Sequence, residues 1–216
     1  MTPASKLSLG LLLTACAGFI DAIGFIELGG FYTSFMSGNT TQLGADIGRG
    51  LPAALLPASL VAMFFAGSFA GSFLALSSAR WGAVLTHALV VATLALSIWL
   101  ATSGFSSAQT MIVLAIAAGA QNAAMRSAGA VRLGATFVTG TLFAAGQDLA
   151  LALRRLAPPW RWLQHLMVWA ALLVGAAIGA VGYAQAQVSA LLAPMAIYAL
   201  FLATTTITAT FGKQAP

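Results

Sequence analysis

The run Ser37-Gly38-Asn39-Thr40-Thr41-Gln42 sets hydroxyls, amides and a side-chain-free glycine side by side in a chain that is otherwise nearly all hydrocarbon. These groups donate and accept hydrogen bonds without titrating, so they suit the binding of a polar solute better than the breaking of a bond. Thr139-Gly140-Thr141-Leu142 repeats the pattern in the second half of the chain. Ser37 then falls opposite Thr139, Gly38 opposite Gly140, Gly44 opposite Gly146 and Asp46 opposite Asp148, with Ser34-Phe35 matched by Thr136-Phe137. Two polar, glycine-broken segments in corresponding places of two apolar halves point to a binding site in a membrane transporter.

Asp21 is the sharpest titratable residue, because it lies within an apolar span where a carboxylate costs roughly 2.5–3.5 kcal/mol. A partner, a wet cavity or protonation must offset that cost. Its counterpart in the second half is Asn122, similar in shape but neutral, preceded by Gln121. One titratable group per pair suits a proton or Na⁺ coupling site, and equally a structural hydrogen bond. Asp46 and Asp148 are expected to face Arg49 and Arg155 or the pathway, and Glu27 the interface. His87 and His165 have no carboxylate or cysteine close by in sequence, so no metal or other cofactor is expected. No P-loop, dinucleotide fingerprint or base for Ser37 is present, so an enzyme is not expected.

The elements that must carry these residues are set by composition. Of 216 residues, 60% are hydrophobic and 6% charged, against roughly 25% charged in a soluble domain. Such a chain cannot cover a water-facing surface, and its lipid partner is the bilayer. The net charge of +5 comes from bases scattered between apolar runs, which is no nucleic-acid footprint. Cys16 is the only cysteine. Leu13-Thr14-Ala15-Cys16 resembles a lipoprotein cleavage site, but the apolar run continues to Ile26 and the basic segment before it is a single Lys, so an uncleaved first helix is expected.

Apolar spans run over 7–26, 53–77, 81–102, 108–125, about 163–184 and about 190–211, each near the ~20 residues that cross a bilayer as helix. The polar segments 31–50 and 133–153 read as short re-entrant or broken helices. Ser37, Asn39 or Thr40 is the expected N-cap of the first. Gly18-x-x-Asp21 matches Gly119-x-x-Asn122, and Gly67-x-x-x-Gly71 matches Gly175-x-x-x-Gly179, small-residue spacings that let helices approach closely in lipid. The expected fold is thus one all-α membrane domain, 1–216, built of repeats 1–105 and 106–216. With six crossings, eight of the nine bases fall on the cytoplasmic side, both termini included; with eight crossings only six do. Three crossings per half make the repeat an inverted one.

Gly18-Phe19-Ile20-Asp21-Ala22, Leu28-Gly29-Gly30 and Ser34-Phe35-Met36-Ser37-Gly38-Asn39-Thr40-Thr41-Gln42-Leu43-Gly44 resemble the opening signature of the YoaK family, small bacterial inner-membrane proteins of uncharacterised function. Gly119-Ala120-Gln121-Asn122-Ala123 and Thr136-Phe137-Val138-Thr139-Gly140-Thr141-Leu142 resemble its second signature. The resemblance covers essentially the whole chain and implies a multi-pass inner-membrane protein, without an activity or a catalytic residue. Family members often carry Arg or Lys where Gln42 stands.

The function expected is secondary transport of a small polar or anionic solute, with protons or Na⁺ as the candidate driving ions. Ser37, Gly38, Asn39, Thr40, Gln42, Thr139, Gly140 and Thr141 would line the pathway, with Asp21, Gln121, Asn122, Asp46 and Asp148 as coupling or polar partners. A passive channel and a non-transporting assembly protein are the alternatives, and a homodimer is compatible with so small a chain.

Overall fold

The structure, a computed structural model, describes residues 3–124 and 138–211. Arg126, Arg132, Thr136, Phe137 and Lys213, which enter the repeat and charge arguments above, lie outside the described residues. Among those described there are eight α-helices, one 3-10 turn and no strand. They are α1 (Pro3–Glu27), α2 (Met36–Ile47), α3 (Leu51–Ser77), α4 (Gly82–Thr102), α5 (Ser107–Ala124), α6 (Val138–Leu153), α7 (Arg161–Ala186) and α8 (Leu192–Phe211), with the 3-10 turn Gln187–Leu191 joining the last two.

Four stretches are long and apolar enough to cross a membrane: Leu7–Glu27, Leu51–Ser77, Gly82–Thr102 and Arg161–Phe211, the last containing both α7 and α8. The fold is therefore that of an all-helical membrane protein. Helix α5, 18 residues long, is more polar than these, carrying Ser107, Gln109, Thr110, Gln121 and Asn122. It is nonetheless enclosed: Thr110, Met111, Leu114 and Gln121 are all buried. Leu13, Ile20, Leu94, Met111, Leu191 and Tyr198 meet around it in the main apolar core. Phe65, Phe69 and Phe73 point outward from α3 instead, as side chains facing lipid do.

Two helix pairs hold the bundle together, α1 against α7 and α3 against α5. Each contact is made at glycine. A Cβ on Gly18 would collide with the Leu172 carbonyl, and one on Gly119 with the Phe64 carbonyl. In the other direction Gly175 abuts Ala15 and Gly67 abuts Ile116, while Gly179 abuts Phe19 and Gly71 abuts Ala120. Ala15, Gly18 and Phe19 each lie 101 residues before Ile116, Gly119 and Ala120; Phe64, Gly67 and Gly71 each lie 108 before Leu172, Gly175 and Gly179. The same contact surface is thus built twice, residue for residue. In both pairs the residue numbers rise together, so the paired helices run parallel.

The short helices pack on their successors, α2 on α3 and α6 on α7. Helix α2 starts earlier than its hydroxyls suggest, at Met36, with Phe35 in the N-cap position and no side-chain cap. The expected cap is displaced because Asn39 is used elsewhere: its Oδ1 accepts the Tyr32 N–H at 3.0 Å and its Nδ2 donates to the Tyr32 carbonyl at 2.6 Å. Thr40 and Thr41 turn back onto the helix itself, to the carbonyls of Met36 and Ser37. At 1.5 Å per residue, the 12 residues of α2 and 16 of α6 are each too short to cross ~30 Å of hydrocarbon.

Candidate functional site

The first turns of α2 and α6 open onto one cavity of about 270 Å³. Ser34, Phe35, Met36 and Ser37 wall it on one side and Thr139 and Gly140 on the other, with Phe64 of α3 and Asn122 of α5 between them. Equivalent residues of the two polar motifs, Ser37 with Thr139, thus share one chamber. A Cβ built on Gly140 meets nothing within 4 Å, so the glycine leaves its side of the chamber open. Gly38 serves differently, because a Cβ there would strike the rings of Phe35 and Tyr32. Those rings stack edge-on, with centroids 5.1 Å apart, and shape the loop that leads into α2.

Among the described residues no charged side chain lines the chamber; the polar groups they bring are hydroxyls, one amide and backbone. The early backbone N–H groups of a helix carry partial positive charge. Two helix starts facing one chamber therefore favour an anion or a polar oxygen within it.

Asp21 stands behind the loop rather than in the chamber. Its Oδ1 accepts three hydrogen bonds, from Thr33 N–H at 2.9 Å, Thr33 Oγ1–H at 3.1 Å and Ser34 N–H at 2.7 Å. Asn122, its counterpart, lines the chamber and donates to the Ala118 carbonyl at 3.3 Å. Gln121, adjacent in sequence, points the other way into the core, where its Oε1 accepts the Tyr198 hydroxyl at 2.8 Å. Of the proposed pathway residues, Ser37, Thr139 and Gly140 reach the chamber, while Gly38, Asn39, Thr40, Gln42 and Thr141 do not line it. Thr141 bonds the Val138 carbonyl at 2.7 Å, and Gln42 donates to Asp46 Oδ2 at 3.1 Å. Phe64 belongs to the wall but gives no signal in sequence, being one phenylalanine of an apolar run.

The two acids at the far ends of the short helices are ion-paired. Asp46 meets Arg49 at 3.4 Å. Asp148 is gripped by Arg161, with Nε donating to Oδ2 at 2.7 Å and Nη2 to Oδ1 at 2.9 Å. This corrects the expectation of Arg155. That residue ends α6 in a left-handed conformation at φ 58°, whereas Arg161 opens the next helix and reaches back. His165 also differs from its sequence reading, since its Nε2 lies 3.3 Å from Asp148 Oδ2. The hydrogen bonds and charge of Arg161 hold the Asp148 carboxyl below the usual range. His87 is buried, with Nδ1 2.7 Å from the Ala83 carbonyl. Among the described residues no three His, Cys, Asp or Glu side chains gather as a metal site would require.

Residues 9–204 match a family of proteins of unknown function, DUF1275. The chain belongs to this family. It is 27% identical over 146 residues to the UPF0700 transmembrane protein YoaK of Bacillus subtilis (strain 168), covering 64% of this chain and 65% of that protein. It is 33% identical over 197 residues to the UPF0700 transmembrane protein RA0705 of Rhizobium meliloti (strain 1021), covering 87% of this chain and 82% of that one. No solved structure matches. Membership in DUF1275 agrees with the YoaK-like signatures in both halves and with a transmembrane character. The site geometry must carry the question of function.

Proposed function

We propose that this DUF1275 protein is a secondary transporter that moves a small polar or anionic solute across the bacterial inner membrane. The observation that carries the reading is the chamber shared by the two polar motifs, with Ser37 on one helix start and Thr139 and Gly140 on the other. Among the described residues its lining brings hydroxyls, an amide and backbone groups, which offer hydrogen bonds to a solute.

The arrangement proposed has six crossings, with α2 and α6 entering from opposite faces and both termini cytoplasmic. Two contacts support it: the hydrogen bond from Ser107, at the start of α5, to Glu27, at the end of α1, and that from Arg80, just before α4, to Ala209, near the end of α8. Those contacts need α1 antiparallel to α5 and α4 antiparallel to α8, which six crossings give and eight do not. The reciprocal glycine contacts suit two inverted repeats, 1–105 and 106–216, that exchange helices, so that the tightly packed pairs α1 with α7 and α3 with α5 would be the bodies that rock around a chamber near the midplane. Asp21 is the proposed coupling group, acting through the loop it holds rather than as a ligand of the solute.

The test is uptake of small anions and polar solutes into proteoliposomes under an imposed proton or Na⁺ gradient. Gly140→Phe fills the chamber from a position with open space, so the protein should fold and uptake should fall at least tenfold. Unimpaired uptake by this variant would sink the assignment of the chamber as the pathway.

A further inference from the structure

A second cavity, of about 510 Å³, lies where α1, α4 and α7 end and α5 and α8 begin. Its wall has a different chemistry. Glu27 brings a carboxylate, Thr102, Thr110, Gln185 and Ser189 bring neutral oxygens, and Phe105 brings an aromatic face.

Three features mark this cavity as a built site. Glu27 is fixed in place, accepting the Ser107 hydroxyl at 2.6 Å on Oε1 and the Tyr183 hydroxyl on Oε2. A carboxylate oxygen has two lone pairs, so both oxygens keep acceptor capacity, and among the described residues no Lys or Arg pairs with this acid. Thr110, one turn along α5 from Ser107, is 1% exposed and lines the cavity, yet its Oγ1 has no hydrogen-bond partner. A buried hydroxyl left unpaired is costly, and native structures rarely tolerate it without a further partner. Gln187, also in the wall, sits at φ 48°, a left-handed conformation that is uncommon for a side chain of this kind and that clusters at ligand sites.

We propose that this cavity binds a monovalent cation, with the Glu27 carboxylate as counter-charge and Thr110 Oγ1 as one of its oxygen ligands. A hard cation takes carboxylate, hydroxyl and carbonyl oxygens together with water; Phe105 would add a cation–π face if the ion is an organic ammonium. The site is separate from the chamber at Ser37 and Thr139, and its existence does not depend on what that chamber carries.

The experiment is thermal unfolding of the purified full chain in detergent, titrated with NaCl, KCl or methylammonium chloride against N-methyl-D-glucamine chloride at constant ionic strength. At least one small cation should raise the midpoint saturably, and glucamine should not. Loss of a charged or oxygen ligand, in Glu27→Gln or Thr110→Val, should raise the half-saturating concentration about tenfold or more. Thr110→Ser, which keeps the hydroxyl, and Gly140→Phe, in the other chamber, should leave it unchanged. The sodium, potassium and methylammonium arms tell an alkali ion from an amine. No saturable response, an equal response to glucamine, or an unchanged half-saturation in Thr110→Val would overturn the site. Should Glu27→Gln fail to fold, the Thr110→Val and Thr110→Ser pair still decides.

Discussion

Asp21 Oδ1 accepts the Ser34 N–H at 2.7 Å, which ties the acid inside the first span to the wall of the polar chamber. With the two bonds from Thr33, it fixes the loop that sets where α2 starts. The proposed coupling then has a physical form. Neutralising this carboxylate weakens three hydrogen bonds at once and loosens the chamber wall.

Asp21→Ala removes the acceptor of all three bonds and should cost about 3 kcal/mol or more, since a bond to a charged group contributes about 1.5–3 kcal/mol and bonds that share one oxygen do not add in full. Asp21→Asn keeps an acceptor oxygen and should cost about 1 kcal/mol. Denaturant unfolding in detergent measures both. In proteoliposomes Asp21→Asn should abolish gradient-driven uptake; unaltered driven uptake removes Asp21 from the coupling.

The glycines divide into two groups with opposite expectations. Gly67→Ala and Gly175→Ala push a methyl into a neighbouring backbone and should destabilise by about 1–3 kcal/mol each, as overpacking does. Gly44→Ala and Gly146→Ala meet nothing within 4 Å and should stabilise by up to about 1 kcal/mol through helix propensity. Midpoint shifts of the four variants check this, and a matching loss at Gly44 would point to a second copy packed there.

Asp148 makes stability depend on acid pH. Its carboxyl is held below the ordinary value of 3.8 by Arg161, so the pairing contributes fully above that value. The contribution fades as pH falls through the lowered folded value. With His165→Gln as the background, to remove the neighbouring imidazole, the midpoint difference made by Asp148→Asn should be constant from pH 5 to 7 and shrink below about pH 4. A difference that stays flat to pH 3 would show that the ion pair adds nothing.

Topology is open to labelling. With buried Cys16 replaced by Ser, single cysteines at Arg49, Ser103 and Gln185 should react with an impermeant reagent from one side of the membrane, and a cysteine at Ser78 from the other. Eight crossings would instead put position 185 on the side opposite to positions 49 and 103.

Much of this structure is legible in the sequence because lipid demands long apolar runs. Helices α3, α4 and α8 lie within two residues of the spans read from hydropathy, and the paired Gly-x-x-x-Gly runs lie at the contacts they suggest. Side-chain roles are less legible, because a hydroxyl or amide does not announce which backbone group it will satisfy. Asn39 reads as a cap or a solute ligand and instead braces Tyr32. Arg161 is closer in space to Asp148 than the nearer-in-sequence Arg155 because the Pro158-Pro159 turn folds the chain back. Glu27 reads as interfacial, and nothing local signals that Ser107 and Tyr183 will converge on it.

The pairing of α1 with α7 and of α5 with α3 has a consequence for how the protein is made. When residues 1–105 have been synthesised, α1 and α3 already expose their glycine faces, but the helices that fill them do not yet exist. The first half must wait in the membrane as loosely associated helices until α5 and α7 are inserted, and only then can long-range packing close. Nascent chains stalled before residue 161 should therefore be protease-sensitive, and the two halves expressed as separate polypeptides should each be degraded alone but survive together.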